Sequence, residues 1–396
     1  MSTCTARQPK HVTFVLWQFP EDGGCGRATE LLGRAFARRG VAVDFISMVP
    51  GVSPTDLDTR SVLRLTDAHR RPVFREATGF AQKLRGLQLL LRKRVDAVYG
   101  LRRARRLLEP LDSSSVVIFT NVGPKRMLSE SGYRPAAHGP IVIGQHHSSY
   151  DGARATGQLD DMPEYFGDLD AFVTLTEEDA QRFQDLLPVP CSAIANIAQI
   201  PAEPRAAHSR EVAVTLTRYA REKRLDVMIN AFDEATKLPA LRAWTLHLYG
   251  SGDLREELQT MVDDLGLDDR VHLHHRTNDV SHVLDGAAVN LMSSEYEGFP
   301  MAVLEASAHG VPTVAFDCSA GMRQLVSPAT GALVPQDDFE GYVTALRELM
   351  VDAAQRQARG AAARDSVERY SEGQVIDHWL ALFDECARRR SRGEVP

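Results

Sequence analysis

The chain reads as an α/β protein of two domains, each organised around a parallel sheet. Strand-like and helix-like segments alternate along nearly its whole length, the pattern left by strands joined through crossover helices. At 396 residues and 43% hydrophobic side chains it can bury two cores and is too long for one ordinary domain. Near the middle, Gln199-Ile200-Pro201-Ala202-Glu203-Pro204-Arg205-Ala206-Ala207-His208 mixes proline, alanine and charge without periodicity and is the best linker. Domains over 1–200 and 201–373 follow, with a final segment over 374–396.

In the first half, short apolar runs predict strands at His11 to Trp17, Val41 to Ser47, Ser115 to Thr120, Pro140 to Gly144 and Ala171 to Leu175. Helices are expected to begin near Gly26, Asn121 and Thr176. Residues 60–106 form a basic helical insert with fourteen Lys and Arg against three acids, and with Leu84, Leu87, Leu90, Leu91, Val95 and Val98 at near-helical spacing. It reads either as a solvated helix pair at the domain rim or as a docking surface for an anionic membrane or a polyanionic acceptor. In the second half, strand Glu211 to Val214 precedes helix Leu225 to Phe232, and strand Ala288 to Met292 precedes helix Met301 to Ala308. The alternation continues to about Met350. A last helix, Gln374 to Arg390, carries Val375, Trp379, Leu382 and Phe383 at helical spacing.

Composition narrows the function classes. A net charge of −7 gives no electrostatic reason to expect nucleic acid. The five cysteines, Cys4, Cys25, Cys191, Cys318 and Cys386, are odd in number and scattered, with no Cys-x-x-Cys spacing, against a disulfide framework or a zinc site. The apolar run after Lys10 is too short for a signal peptide, and no stretch is long enough to span a bilayer. The expectation is a cytoplasmic protein, free or peripheral at the inner face of the membrane.

Two segments carry chemistry. In Ser294-Glu295-Tyr296-Glu297-Gly298-Phe299-Pro300-Met301-Ala302-Val303-Leu304-Glu305-Ala306 a tight turn leads from a strand into a helix, with Pro300 suited to the first helical turn and two carboxylates flanking the turn. Free amides around Gly298, Phe299 and Met301 favour an anion beyond the strand end. Glu305, deep in an apolar helix, needs hydrogen-bonding partners, and sugar hydroxyls are natural ones; local capping by Glu305 and solvation of Glu297 is the other reading. Upstream, Arg218 and Lys223 flank another strand-to-helix turn. They supply a planar fork and a point charge suited to a diphosphate, unless they are an ordinary basic surface loop.

With these residues in view, the second half resembles glycosyltransferase family 4, the retaining enzymes with two facing Rossmann-like domains (GT-B architecture). The matching residues are Arg218, Glu222-Lys223, Tyr249-Gly250-Ser251-Gly252 and Glu297-Gly298-Phe299-Pro300 through Glu305, in order across most of residues 211 to 380. Thr217 and Arg224 depart from it at positions where the family usually has glycine. The combination with Gln145-His146-His147-Ser148-Ser149 is similar to bacterial polyol-phosphate, or teichoic-acid, α-glucosyltransferases.

The resemblance implies an enzyme that moves a hexose or N-acetylhexosamine from a nucleoside-diphosphate sugar, with uridine preferred, to an acceptor hydroxyl. It implies no divalent metal and no cofactor beyond the sugar nucleotide. Arg218 and Lys223 would stabilise the leaving diphosphate with the amides from Gly298 and Phe299 to Met301 and Ala302. Glu305 would hold the ribose and Glu297 the donor sugar, with Gly250 beside the nucleotide and the loop at His275 and Arg276 near the base. Gly23 and Gly24 would border the acceptor side, His147 rather than His146 would be the site histidine, and the last helix would cross back to the first domain.

Rival readings remain at this level. Gly24-x-Gly26-x-x-Thr29, with Asp44 taken to end the second strand, imitates a dinucleotide fingerprint and suggests an NAD(P)-dependent oxidoreductase. A non-catalytic sugar-nucleotide-binding protein is a third possibility. Asp56-Leu57-Asp58 and Asp168-Leu169-Asp170 fit the Asp-x-Asp string that binds metal in other glycosyltransferases, but neither follows a strand into a cleft, and both read as surface acids. His272 and His274 should share one face of a strand, and with His275 they show no regular metal spacing.

Overall fold

The computed structural model describes residues 8–21, 23–51, 55–62, 95–136, 138–203 and 210–394. Most of the basic insert, residues 63–94, and linker residues 204–209 therefore lie outside the described residues.

The first half contains β1 (His11–Phe19), α1 (Gly24–Arg38), β2 (Ala42–Pro50), β3 (Thr59–Ser61), α2 (residues 95–108), β4 (Ser115–Phe119), α3 (Val122–Glu130), β5 (Ile141–Gln145), α4 (Tyr150–Ala155), α5 (Met162–Phe166), β6 (Ala171–Thr174), α6 (Glu177–Gln184) and β7 (Cys191–Ala193). The second half contains β8 (Val212–Leu216), α7 (Leu225–Thr236), β9 (Thr245–Tyr249), α8 (Arg255–Asp264), β10 (Val271–His274), α9 (Val280–Asp285), β11 (Val289–Met292), α10 (Met301–Ala308), β12 (Thr313–Phe316), α11 (Ala320–Leu325) and β13 (Gly331–Val334). Helices α12 (Phe339–Val351), α13 (Ala353–Ser366) and α14 (Glu372–Ser391) follow.

The strands form two sheets, ordered β3-β2-β1-β4-β5-β6-β7 and β10-β9-β8-β11-β12-β13, with every pair parallel. Parallel strands covered on both faces explain why β4, β5, β6, β11 and β12 are buried throughout and mostly apolar. Each sheet reverses its winding once, between β1 and β4 and between β8 and β11. The two Rossmann-like domains expected from the sequence are present, and at each reversal the loops leaving the strand ends open a crevice suited to a ligand.

Helix starts follow local chemistry. Asn121 and Thr176 cap α3 and α6 with their side chains, accepting from the Gly123 and Asp179 amides. Helix α1 begins at Gly24, two residues earlier than expected, so Gly24 and Gly26 lie in its first turn. Pro300 is the cap before α10, one residue short of the first turn. Helix α14 lies on the first domain, with Phe383 stacked on Phe36 at 5.7 Å and Trp379 edge-on to it at 6.5 Å. Burying each of these rings contributes about 1.5–3 kcal/mol.

Two expectations fail here. Asp44 is the third residue of β2 and pairs with His11 at 3.0 Å. It is therefore at the strand's beginning, whereas a ribose-binding acid must stand at the end that faces the crevice. Asp170 is not a surface acid: it is buried, accepts from the Val142 amide at 2.6 Å and receives the Arg390 guanidinium of α14 at 2.7 Å. Its partner in the string, Asp168, is half exposed and neutralises the buried Lys125 at 2.7 Å.

Candidate active site

A cavity of about 960 Å³ lies between the two domains at the strand ends. All thirteen sequence candidates line it: Gly23, Gly24 and His147 from the first domain, and Arg218, Lys223, Gly250, Arg276, Glu297, Gly298, Phe299, Met301, Ala302 and Glu305 from the second. His146 does not.

The cationic wall is built by the turn after β8. A single 3-10 turn, Arg221–Lys223, ends at Arg224, whose φ of 48° and ψ of 45° are left-handed. That conformation costs a non-glycine residue about 1–2 kcal/mol and accounts for the usual glycine here. In this chain Arg224 is held by Asp337 at 2.6 Å and by the ring of Phe316 at 5.6 Å. Ser293 donates to the carbonyls of both Lys223 and Arg224, at 2.7 and 2.9 Å. Gly250 is required nearby because a Cβ there would lie 1.9 Å from the Thr217 carbonyl oxygen.

Each of the two candidate phosphate cations is paired. Lys223 Nζ lies 2.7 Å from Glu297 Oε1, and the Ser294 hydroxyl donates to the same oxygen at 2.7 Å. Both ionic side chains are mostly buried, with 13% exposure each. Arg218 reaches Glu222 at 2.6 Å and is 55% exposed, so it is the readier to turn toward an incoming anion. Above them, α10 has buried apolar residues on nearly all sides and presents its N-terminal amides from Met301 onward.

The first domain closes on this wall through backbone. A Cβ on Gly298 would lie 2.2 Å from the His147 carbonyl oxygen, and one on Gly321 of α11 would lie 1.9 Å from the Gly298 carbonyl oxygen, so the three segments stack at glycine thickness. Asn196 Nδ2 donates across the same seam to the Phe299 carbonyl at 3.2 Å. Arg323 of α11 spans from Asp317 to Glu178 of α6, at 2.8 Å to each. His147 is half-buried, with neither ring nitrogen bonded to another protein group. Burial pulls its pKa down to about 4, and burial together with His147 takes His146 to about 3. Both imidazoles are therefore neutral near pH 7, and His147 is equipped to hydrogen-bond a hydroxyl there.

Sequence reasoning missed several lining residues. Arg27 of α1 reaches Glu305 across the cleft at 3.6 Å. Asp56 also lines the cavity, contrary to the expectation for its loop, because that loop leaves the end of β2; it is tied to Arg34 at 2.6 Å. The linker-side Asn196, Tyr296 and Asn278 are among the other residues that line it. Only spatial neighbours identify them: Arg27 had a signal just in being one helical turn beyond Gly24. Beside Gly250, Tyr249 stacks on His274 at 4.4 Å, and His272 and His274 do share one face of β10. Among the described residues no group of three His, Cys, Asp or Glu is placed to hold a metal, and no helix is long and apolar enough to cross a membrane.

The family described as Glycosyl transferases group 1 matches residues 196–366. Among curated proteins, the chain is 31% identical over 227 residues to an exopolysaccharide phosphotransferase of Streptomyces coelicolor, covering 56% of this chain and 24% of that protein. It is 23% identical over 279 residues to the poly(ribitol-phosphate) alpha-N-acetylglucosaminyltransferase of Staphylococcus aureus, covering 68% and 55%. The chain thus spans about a quarter to just over half of the length of these two relatives. Among solved structures, the pneumococcal O-GlcNAc transferase GtfA in complex with UDP and GlcNAc superposes with a TM-score of 0.70 at 14% identity, over 96% of this chain and 99% of that one. This chain accordingly has the GT-B fold, and residues 196–366, mostly in its second domain, are similar to the group 1 glycosyl transferases.

Proposed function

We propose that the protein is a metal-independent, retaining glycosyltransferase that moves a hexose or N-acetylhexosamine from a UDP-sugar to an acceptor hydroxyl, with a polyol-phosphate chain as the acceptor class. The observation that carries this is the convergence of Arg218, Lys223, Glu297, Glu305 and the amide end of α10 on one interdomain cavity. A diphosphate entering it draws Arg218 from Glu222 and Lys223 from Glu297, and the carboxylates released are then free to accept sugar hydroxyls. Glu305 takes the ribose and Glu297 the donor sugar, with neutral His147 over that sugar. The bond from the anomeric carbon to the phosphate oxygen breaks, the bond to the acceptor oxygen forms on the same face, and the acceptor proton passes to the leaving phosphate oxygen. Side-chain charge stabilises that leaving group, so neither a divalent ion nor a separate base is needed.

Support for the donor comes from the GtfA complex with UDP, and for the acceptor from the S. aureus relative named for poly(ribitol-phosphate). Outside the cavity, α2 exposes Arg102, Arg103 and Arg106 beside the exposed Val95, Val98 and Tyr99. We assign that face to holding an anionic acceptor at the inner side of the membrane. The oxidoreductase alternative has lost its acid, since Asp44 is at the wrong end of β2 and bound to His11.

Calorimetric titration with UDP, GDP and a nicotinamide dinucleotide tests the reading. UDP should bind most tightly. Tight dinucleotide binding without binding of either nucleoside diphosphate would contradict it.

A further inference from the structure

Glu305 is a carboxylate inside α10, where Met301, Ala302, Val303, Leu304, Ala306 and Ser307 are all buried, and its own side chain is only 12% exposed. Such a group stays ionised only beside a counter-charge or several donors. Two cavity cations of its own domain are engaged elsewhere, Lys223 with Glu297 and Arg218 with Glu222.

The elements packed on α10 narrow the choice further. On α13, Arg364 donates to the Ala308 and Pro201 carbonyls, Arg359 to Gly331, and Arg356 to Leu349 and Met350. Arg323 of α11 is held by Asp317 and Glu178, and β11 and β12 carry no charge. His309, at the end of α10, is bonded to Asp285. On α1, Glu30 and Arg34 pair with each other. Arg27 alone of these approaches Glu305, with Nε 3.6 Å from Oε1, while its NH2 group is anchored by Gln199 at 2.5 Å. That separation is longer than a hydrogen bond, so the attraction is ionic and leaves the carboxylate able to accept hydroxyls.

We infer that Arg27 is a positioning residue: from the first domain it keeps Glu305 a carboxylate, so that the donor ribose meets an ionised acceptor when the cleft is closed. The inference rests on the reading of Glu305 as the ribose partner. Burial pushes the Glu305 carboxyl above its ordinary range and Arg27 opposes that push, so losing Arg27 raises it further. Donor recognition in the second domain is thereby coupled to closure of the first.

UDP-glucose, whose diphosphate diester does not titrate near neutrality, is the probe. Its affinity is measured by calorimetry from about pH 5.5 to 8.5, a range in which each unit below a controlling carboxyl pKa costs about tenfold. In Arg27→Gln the affinity should begin to fall at a higher pH than in the intact chain, Arg27→Lys should restore the original profile, and Arg27→Gln combined with Glu305→Gln should show no such dependence. An Arg27→Gln profile that matches the intact chain, while Glu305→Gln still weakens binding, would overturn the inference and spare the ribose reading. Unchanged affinity in Glu305→Gln would overturn the ribose reading itself. Failure of the intact chain to bind UDP-glucose would remove both.

Discussion

Lys223→Ala should lower turnover at saturating donor by about a hundredfold or more, the loss expected when one electrostatic group for a leaving diphosphate is removed. Arg218→Ala should do the same, but the two variants should differ in stability. Arg218 is 55% exposed and its pair with Glu222 is a surface one, so its removal leaves the melting temperature nearly unchanged. Lys223 and Glu297 are mostly buried, and deleting the cation leaves a shielded carboxylate with only the Ser294 hydroxyl beside it. Lys223→Ala should therefore also melt earlier, and adding Glu297→Gln should recover stability without recovering turnover. Near-normal turnover in a folded Arg218→Ala or Lys223→Ala protein would refute the assigned roles.

An equally large loss is expected from one methyl group at Gly298. A Cβ there would sit 2.2 Å from the His147 carbonyl oxygen and 2.9 Å from both the His147 carbonyl carbon and the Ser148 Cα. All three are backbone atoms, which cannot rotate out of the way. Relief requires the His147 loop to move off the Glu297–Phe299 turn, and a displacement of about 1 Å at reacting groups can cost about a hundredfold in rate. Gly298→Ala should thus depress turnover by about that factor while affinity for free UDP, held by the second domain, changes far less. Adding His147→Ala should not rescue it, because the clash is with main chain. Wild-type turnover in Gly298→Ala would show that the two domains need not close as seen here.

Much of this was legible because the informative chemistry is local in sequence. The turn from Ser294 to Ala306 carries breaker, charge and helix start, and the turn from Thr217 to Leu225 carries charge and helix start, each within about a dozen residues of a strand end, so position and candidate chemistry could be read together. That both sheets are parallel followed from alternation, whereas their Rossmann-like winding was expected only from the family resemblance. Contacts made across the fold were not legible. Asp170 looks like a surface acid beside a strand, and nothing near it in sequence announces Arg390, 220 positions away, as the partner that lets it be buried. Glu305 signals a buried carboxylate, yet its counter-charge Arg27 comes from the other domain. Asp44 misled because periodicity locates a strand better than it locates which end of it a residue occupies. Arg224 read as a departure from a glycine, and the left-handed backbone that glycine usually serves became visible only as a φ of 48°.

Transfer of sugar from a nucleoside diphosphate in the interdomain cavity, driven by side-chain charge, is the activity proposed. It is tested most directly by supplying the intact chain with UDP-linked hexoses and N-acetylhexosamines and a polyol-phosphate chain in excess chelator, then reading the anomeric configuration of the attached sugar by NMR. Chelator-insensitive transfer with the donor's configuration retained is the expected result. Transfer that requires restored manganese or magnesium, or that inverts the anomeric centre, would contradict it.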